Sequence, residues 1–134
     1  VCVALAAAAW AAVMVFAADR SATHVARAKE VVLVYVGAED CAPCRAWQAQ
    51  GEVALRASPE FARLTYRAVK SPTLFDVMSD AHWPDDLKIY RERLGDGAGV
   101  PAWLVVADGE IVMTGQGASQ WDKIVLPKVR SLLR

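Results

Sequence analysis

Cys41 and Cys44 stand three residues apart in the segment Cys-Ala-Pro-Cys, and no other residues of the chain are so well suited to covalent chemistry. Thiols at this spacing can exchange with a disulfide. A thiolate attacks one sulfur of a substrate, and the second thiol then resolves the mixed disulfide. Side chains three apart on a helix lie on one side, one above the other, so these two sulfurs can close a small disulfide. Cys41 falls where a helix would begin, and the unpaired N–H groups and positive dipole end of such a terminus favour its thiolate. Cys41 is therefore read as the nucleophile and Cys44, one turn deeper, as the resolving thiol. Pro43 suits the same place, because first-turn N–H groups have no intrahelical partner to lose.

Such a pair must be held by flanking elements. Residues 31–36 (VVLVYV) are apolar throughout and mostly β-branched, which predicts a short strand covered on both faces, ended by Gly37. Residues 45–58 continue from the cysteines as a helix, with Trp47, Ala54 and Leu55 on its buried face and Arg45, Gln48, Glu52 and Arg56 on the other. Gly51 marks a kink or a close helix–sheet contact, and Ser58-Pro59 stops the helix. A second strand is expected from near Ala62 to Val69, followed by a turn at Ser71-Pro72 and a short apolar piece, 73–80, with no assignment. Trp83-Pro84-Asp85-Asp86 opens a helix carrying Leu87, Tyr90 and Leu94 on one side, and residues 95–99 (GDGAG) end it. Residues 103–107 and 110–115 form a hairpin through a type I′ turn at Asp108-Gly109. A loop at 116–119 leads to a closing amphipathic helix, in which Pro127 predicts a kink or an early break. A parallel pair joined by a helix, then an antiparallel hairpin and a last helix, implies an α/β fold with a central mixed β-sheet flanked by helices on both faces.

The chain has 134 residues, room for one domain and an appendage, and its 15 acidic and 15 basic residues give no argument for nucleic acid. Residues 1–18 carry no charge and contain Cys2; they read as a cleaved signal peptide, a membrane anchor or a buried helix. The first two readings place the domain in an oxidising, extracytoplasmic compartment. Residues 19–28 are a linker, in which His24 is a solvated histidine, and residues 29–134 are the domain, with a helical insert at 71–98. His82 lacks companions and is read as structural or solvated. Trp47, Trp103 and Trp121 fall on apolar faces and read as core; Trp83, beside His82, reads first as structural too, and is the one tryptophan with a substrate groove as its alternative.

In this context the chain resembles the thioredoxin-like superfamily, over roughly residues 29–133. Three stretches carry the likeness: VVLVYVGAEDCAPCRAW, the Gly99-Val100-Pro101 sequence, and the WLVVADGEIVMTGQG hairpin. The resemblance implies a thioredoxin-like fold, with Cys41 attacking, Cys44 resolving and a cis-Pro101 beside the disulfide. It also implies that Val100 pairs through its backbone with bound peptide, with Ala42 and Pro43 on the same contact surface. Tyr35 stands where thioredoxins carry a buried acidic residue, and Asp40, preceded by Glu39, replaces the usual Trp. These departures make Tyr35, Glu39, Asp40 and Arg45 candidate modulators. Two carboxylates oppose the Cys41 thiolate, while Arg45 and the helix terminus favour it. Small exported bacterial thioredoxin-like proteins are similar in general pattern.

The activity expected on this basis is that of an exported thiol–disulfide oxidoreductase reducing protein disulfides, without a cofactor. Its partners are protein disulfide substrates and, outside the cytosol, a membrane-borne electron donor. The cellular place is periplasmic or otherwise extracytoplasmic, with residues 1–18 a possible inner-membrane anchor. Two other readings stand beside it. One is copper or zinc handling through Cys41, Cys44 and His82; the other is an interaction module in which the cysteines form a structural disulfide.

Overall fold

The computed structural model describes residues 27–134; the expectations for residues 1–18, for the linker up to residue 26 and for His24 lie outside them. Four strands form one mixed sheet in the order β2-β1-β3-β4. Strand β1 (Val31–Ala38) is central, running parallel to β2 (Thr65–Ser71) and antiparallel to β3 (Ala102–Ala107). Strand β4 (Glu110–Gln116) closes the antiparallel edge against β3. Only Val32 of β1 keeps partial exposure, as an unbroken β-branched run covered on both faces requires.

Alternate residues of β1 and β3 enter opposite layers, following the period of two of a strand. Leu33, Tyr35, Trp103 and Val105 pack under α1 (Ala42–Ala49), α2 (Gly51–Arg56) and the C-terminal helical segment. Val34, Val36, Ala102 and Leu104 pack on the other side against Val77, Trp83 and Leu87 of the insert. The insert consists of turns over 72–79, short 3₁₀ turns at Asp80–His82 and Asp85–Leu87, and α3 (Lys88–Leu94). Gly95, at φ 85°, ends α3 in a conformation that side chains disfavour.

Three expectations about local structure are corrected, and one, the interruption of the first helix near Gly51, is met. Strand β1 does not end at Gly37: Gly37 pairs with Lys70 and the ladder continues to Ala38. Its lack of a side chain serves packing, because a Cβ there would overlap the hydroxyl of Tyr35. The first helix is two helices separated at Gln50, whose backbone (φ −120°, ψ −63°) leaves the helical region. That break resets the phase of α2, burying Glu52 and exposing Ala54, the reverse of a continuous helix. Strand β2 starts at Thr65, after a 3₁₀ turn at Phe61–Arg63, and runs on to Ser71.

The hairpin turn has Asp108 at φ 50° and Gly109 at φ 85°, the two positive values that a type I′ turn demands. Asp108 Oδ1 also accepts from the N–H groups of Lys29 and Glu30, both at 2.9 Å, fixing the chain as it enters β1. After β4, α4 (Ala118–Gln120), a π turn (Trp121–Val125) and α5 (Leu126–Leu132) follow in sequence. Pro127 explains the wide turn. It has no N–H to give to the preceding turn and its ring crowds a carbonyl there, which the π geometry accommodates. No helix among the described residues is long and apolar enough to cross a membrane.

Candidate active site

Cys41 is the N-cap of α1 and Pro43 lies in its first turn. The two cysteines form a disulfide with Cα atoms 5.2 Å apart. Cys44 N–H donates to Cys41 Sγ at 3.2 Å. A backbone donor on Cys41 Sγ and the helix terminus both favour negative charge on that sulfur. Cys44 is wholly buried and Cys41 is 4% exposed, while Ala42 and Pro43 between them are exposed. An incoming sulfur therefore has access from the Cys41 side.

The opposite wall is the loop before β3. The Val100–Pro101 peptide bond is cis, Pro101 is buried, and the Val100 carbonyl oxygen lies 3.9 Å from Cys41 Sγ. Val100 packs on Ala38, Cys41 and Cys44. Two contacts from the end of β4 hold this loop: Gly117 N–H donates to Pro101 O at 2.8 Å, and Gln116 Oε1 accepts from Gly99 N–H at 2.9 Å. Gln116 was not singled out by sequence reasoning, since a glutamine at a strand end carries no distinctive signal.

Beneath the cysteines, Tyr35 is fully buried and stacked on Trp47, with ring centroids 4.4 Å apart. Its hydroxyl lies 3.5 Å from the Cys44 carbonyl oxygen and accepts from Gln48 Nε2 at 2.9 Å. Burial pushes the Tyr35 phenol above its ordinary value, with a lowering contribution from the Gln48 hydrogen bond and a further rise from the charge of Glu52. A phenol held protonated in this way is a fixed hydrogen-bonding post rather than a base. Gln48, one turn beyond Cys44, was assigned to the solvent face; its amide is half-buried here because Tyr35 needs the donor.

The two carboxylates before Cys41 have different settings. Asp40 Oδ1 accepts from Leu74 N–H at 2.7 Å, fastening the insert to the residue that precedes the nucleophile. Glu39 is tied through its backbone, its N–H donating to Ser71 O at 2.9 Å. Arg45 Nη1 donates to the Glu39 carbonyl oxygen at 2.7 Å, which draws its positive charge onto the loop leading to Cys41. Cys41, Cys44, Ala42, Pro43, Val100, Pro101, Tyr35, Glu39, Asp40 and Arg45 thus gather around one end of β1.

Two other sequence candidates lie elsewhere. Trp83 is 3% exposed and donates from Nε1 to Val77 O at 2.9 Å, so it packs in the core of the insert. A single half-buried histidine, His82, stands beside it, and no group of three or more His, Cys, Asp or Glu among the described residues could hold a metal ion. A groove of about 450 Å³ begins at Pro43 and passes over Trp47, Gly51 and Trp121 to Arg130. Neither cysteine lines it.

Glu52, assigned to the solvent face by the sequence, is buried and paired. Arg56 Nη2 approaches its Oε1 at 3.0 Å and Lys70 Nζ its Oε2 at 3.4 Å. The Tyr66 phenol, itself half-buried, is pushed well above its usual value by burial and by the charge of Glu52.

Comparison with solved structures places this geometry in a known fold. A thioredoxin from Malassezia sympodialis superposes with a TM-score of 0.53 at 14% identity, covering 81% of each chain. A thioredoxin from Trypanosoma brucei brucei gives 0.52 at 13% identity, covering 80% of this chain and 78% of its own. Mitochondrial thioredoxin 3 from Saccharomyces cerevisiae, in its oxidised form, gives 0.50 at 16% identity over 77% and 79%. No protein-family model matches the chain, and no curated protein matches it. The chain has the thioredoxin fold.

Proposed function

We propose that the protein is an exported thiol–disulfide oxidoreductase that reduces protein disulfides through Cys41 and Cys44. The observation that carries this reading is the Cys41–Cys44 pair at the start of α1, with the Cys44 N–H on Cys41 Sγ and the Val100 carbonyl beside it. In the reduced protein, the Cys41 thiolate attacks one sulfur of the substrate disulfide. The substrate S–S bond breaks, a mixed disulfide forms on Cys41, and the other substrate sulfur leaves as a thiolate. Deprotonated Cys44 then attacks Cys41 Sγ, and the second substrate sulfur departs as the Cys41–Cys44 disulfide closes. Two electrons pass to the substrate, and the protein is left oxidised.

Val100 offers its backbone carbonyl to an extended substrate segment, while Ala42, Pro43 and Pro101 give the apolar surface around the sulfurs. Tyr35 and Gln48 hold the carbonyl end of Cys44, and Asp40, Glu39 and Arg45 hold the loop before Cys41. The uncharged stretch 1–18 supports export or anchoring, in the periplasm or another extracytoplasmic space. Turnover there requires a membrane-borne donor to return two electrons to the disulfide.

Replacing Cys44 by Ser tests the order of events. With a protein disulfide such as insulin, C44S accumulates a mixed disulfide on Cys41 that dithiothreitol releases, whereas C41S accumulates none. Equal trapping by both variants, or by neither, contradicts the assignment.

A further inference from the structure

Phe75 is 96% exposed and its neighbour Leu74 48% exposed, on a loop that is firmly held. Leu74 N–H is bound by Asp40 Oδ1 at 2.7 Å. On one side, Ser71 Oγ donates to Thr73 O at 2.8 Å and accepts from Thr73 N–H at 3.2 Å. On the other, Thr73 Oγ1 accepts from Asp76 N–H at 3.3 Å, and the next residue, Val77, is buried with its carbonyl taken by Trp83 Nε1. Glu39 N–H on Ser71 O binds the start of the loop to the same stretch that Asp40 binds further on. The loop is thus fastened twice to the two residues before Cys41, and its apolar pair is turned outward.

Single exposed apolar side chains are ordinary on a protein surface. Val53, Ile89 and Val112 are of that kind, each on a separate element, α2, α3 and β4. Leu74 and Phe75 differ in being adjacent, in being held by side-chain and backbone hydrogen bonds, and in being tied to the residue next to the nucleophile. A disulfide small enough to touch only Cys41 cannot also reach a loop of the insert. A polypeptide can, because residues beside its cysteine extend across the rim while its backbone meets the Val100 carbonyl.

We infer that Leu74 and Phe75 are the side-chain recognition surface of this active site, taking an apolar residue that flanks the reacting cysteine of a polypeptide disulfide. The inference rests on the oxidoreductase reading and adds to it the choice among protein disulfides by the residue beside the reacting cysteine. Glu39, Asp40 and Asp76 share this rim with Arg45, so it carries both signs and selects its substrate by the apolar side chain beside the cysteine.

The test uses the full chain, reduced and freed of reductant, against three probes followed by quenching and thiol trapping. The probes are a symmetrical peptide disulfide with leucine on both sides of the cysteine, the same peptide with serine in those places, and hydroxyethyl disulfide. The leucine peptide should react about tenfold faster than the serine peptide, the effect of one well-packed interfacial aromatic contact. Phe75→Ser, at an exposed position, should remove that preference and leave the hydroxyethyl disulfide rate unchanged. Absence of the preference in the parent chain, its survival in F75S, or equal slowing of all three probes by F75S overturns the inference. Failure of the parent chain to react with any probe overturns the oxidoreductase reading itself.

Discussion

Replacing Gly37 by Ala should destabilise the protein out of proportion to one added methyl group. A Cβ at residue 37 would overlap the Tyr35 hydroxyl oxygen and come within 2.6 Å of Cζ and 3.2 Å of Cε1. Tyr35 cannot swing aside, being fully buried, stacked on Trp47 at 4.4 Å and 6.1 Å from the Trp103 ring centroid. Overpacking of a filled core costs about 1–3 kcal/mol, and displacing the hydroxyl from Gln48 adds about 1 kcal/mol. The expected loss is about 2–4 kcal/mol, or roughly 8–16 °C in Tm for a domain of this size. Urea unfolding of the oxidised protein, followed by tryptophan fluorescence, measures it with the disulfide state held constant. Tyr35→Phe alone should cost about 1 kcal/mol for the lost Gln48 hydrogen bond. In the G37A background the same change should recover about 1–2 kcal/mol, because it removes the worst contact. A cost for G37A below about 0.5 kcal/mol, or additivity of the two changes within about 0.5 kcal/mol, refutes the packing argument.

Three further outcomes follow from buried groups near the site. Tyr35 and Tyr66 both have phenol pKa values raised above the ordinary value of 10 by burial, so ionisation is open to them mainly in the unfolded chain. Their contribution to stability is complete below about pH 10 and is lost as pH rises further, and Y66F should flatten that alkaline fall in urea-unfolding midpoints. Because Tyr35 stays protonated, Y35F should leave the shape of the pH dependence of disulfide reduction unchanged between about pH 6 and 9; a shifted or missing limb would make Tyr35 a proton acceptor after all. Glu52→Ala should cost about 1–2 kcal/mol in urea unfolding, less than for a fully enclosed ion pair, because Arg56 and Lys70 are exposed enough to rehydrate.

The parts of the fold that the sequence made legible rest on local rules of backbone geometry. Val31 to Val36 could form only a doubly covered strand, Asp108-Gly109 suits only a narrow turn, and Asp85-Asp86 after Pro84 opens a helical stretch. What stayed hidden depends on tertiary contacts. The phase of α2 is set by a break at Gln50, one residue before the glycine that drew notice, so Glu52 looked solvated and Ala54 looked buried. Gly37 looked like a strand terminator, because the side chain that needs its empty space, Tyr35, faces it only once the strand is built. At the site, the cysteines and Val100-Pro101 were visible as motifs. Gln48 and Gln116 were not, since each acts through a hydrogen bond to a partner distant in the chain. The link from Asp40 to Leu74 spans 34 residues and appears only when the insert packs against the end of β1.

The reduction potential of the Cys41–Cys44 couple tests the proposed reductase most directly. Equilibration against glutathione buffers, with thiol trapping at each ratio, should give a reversible two-electron transition near or below about −230 mV, in the range of reducing dithiols. A potential between about −180 and −120 mV would contradict the proposed direction of electron flow and make the protein an oxidant or isomerase. Absence of any reversible transition would contradict the dithiol mechanism itself.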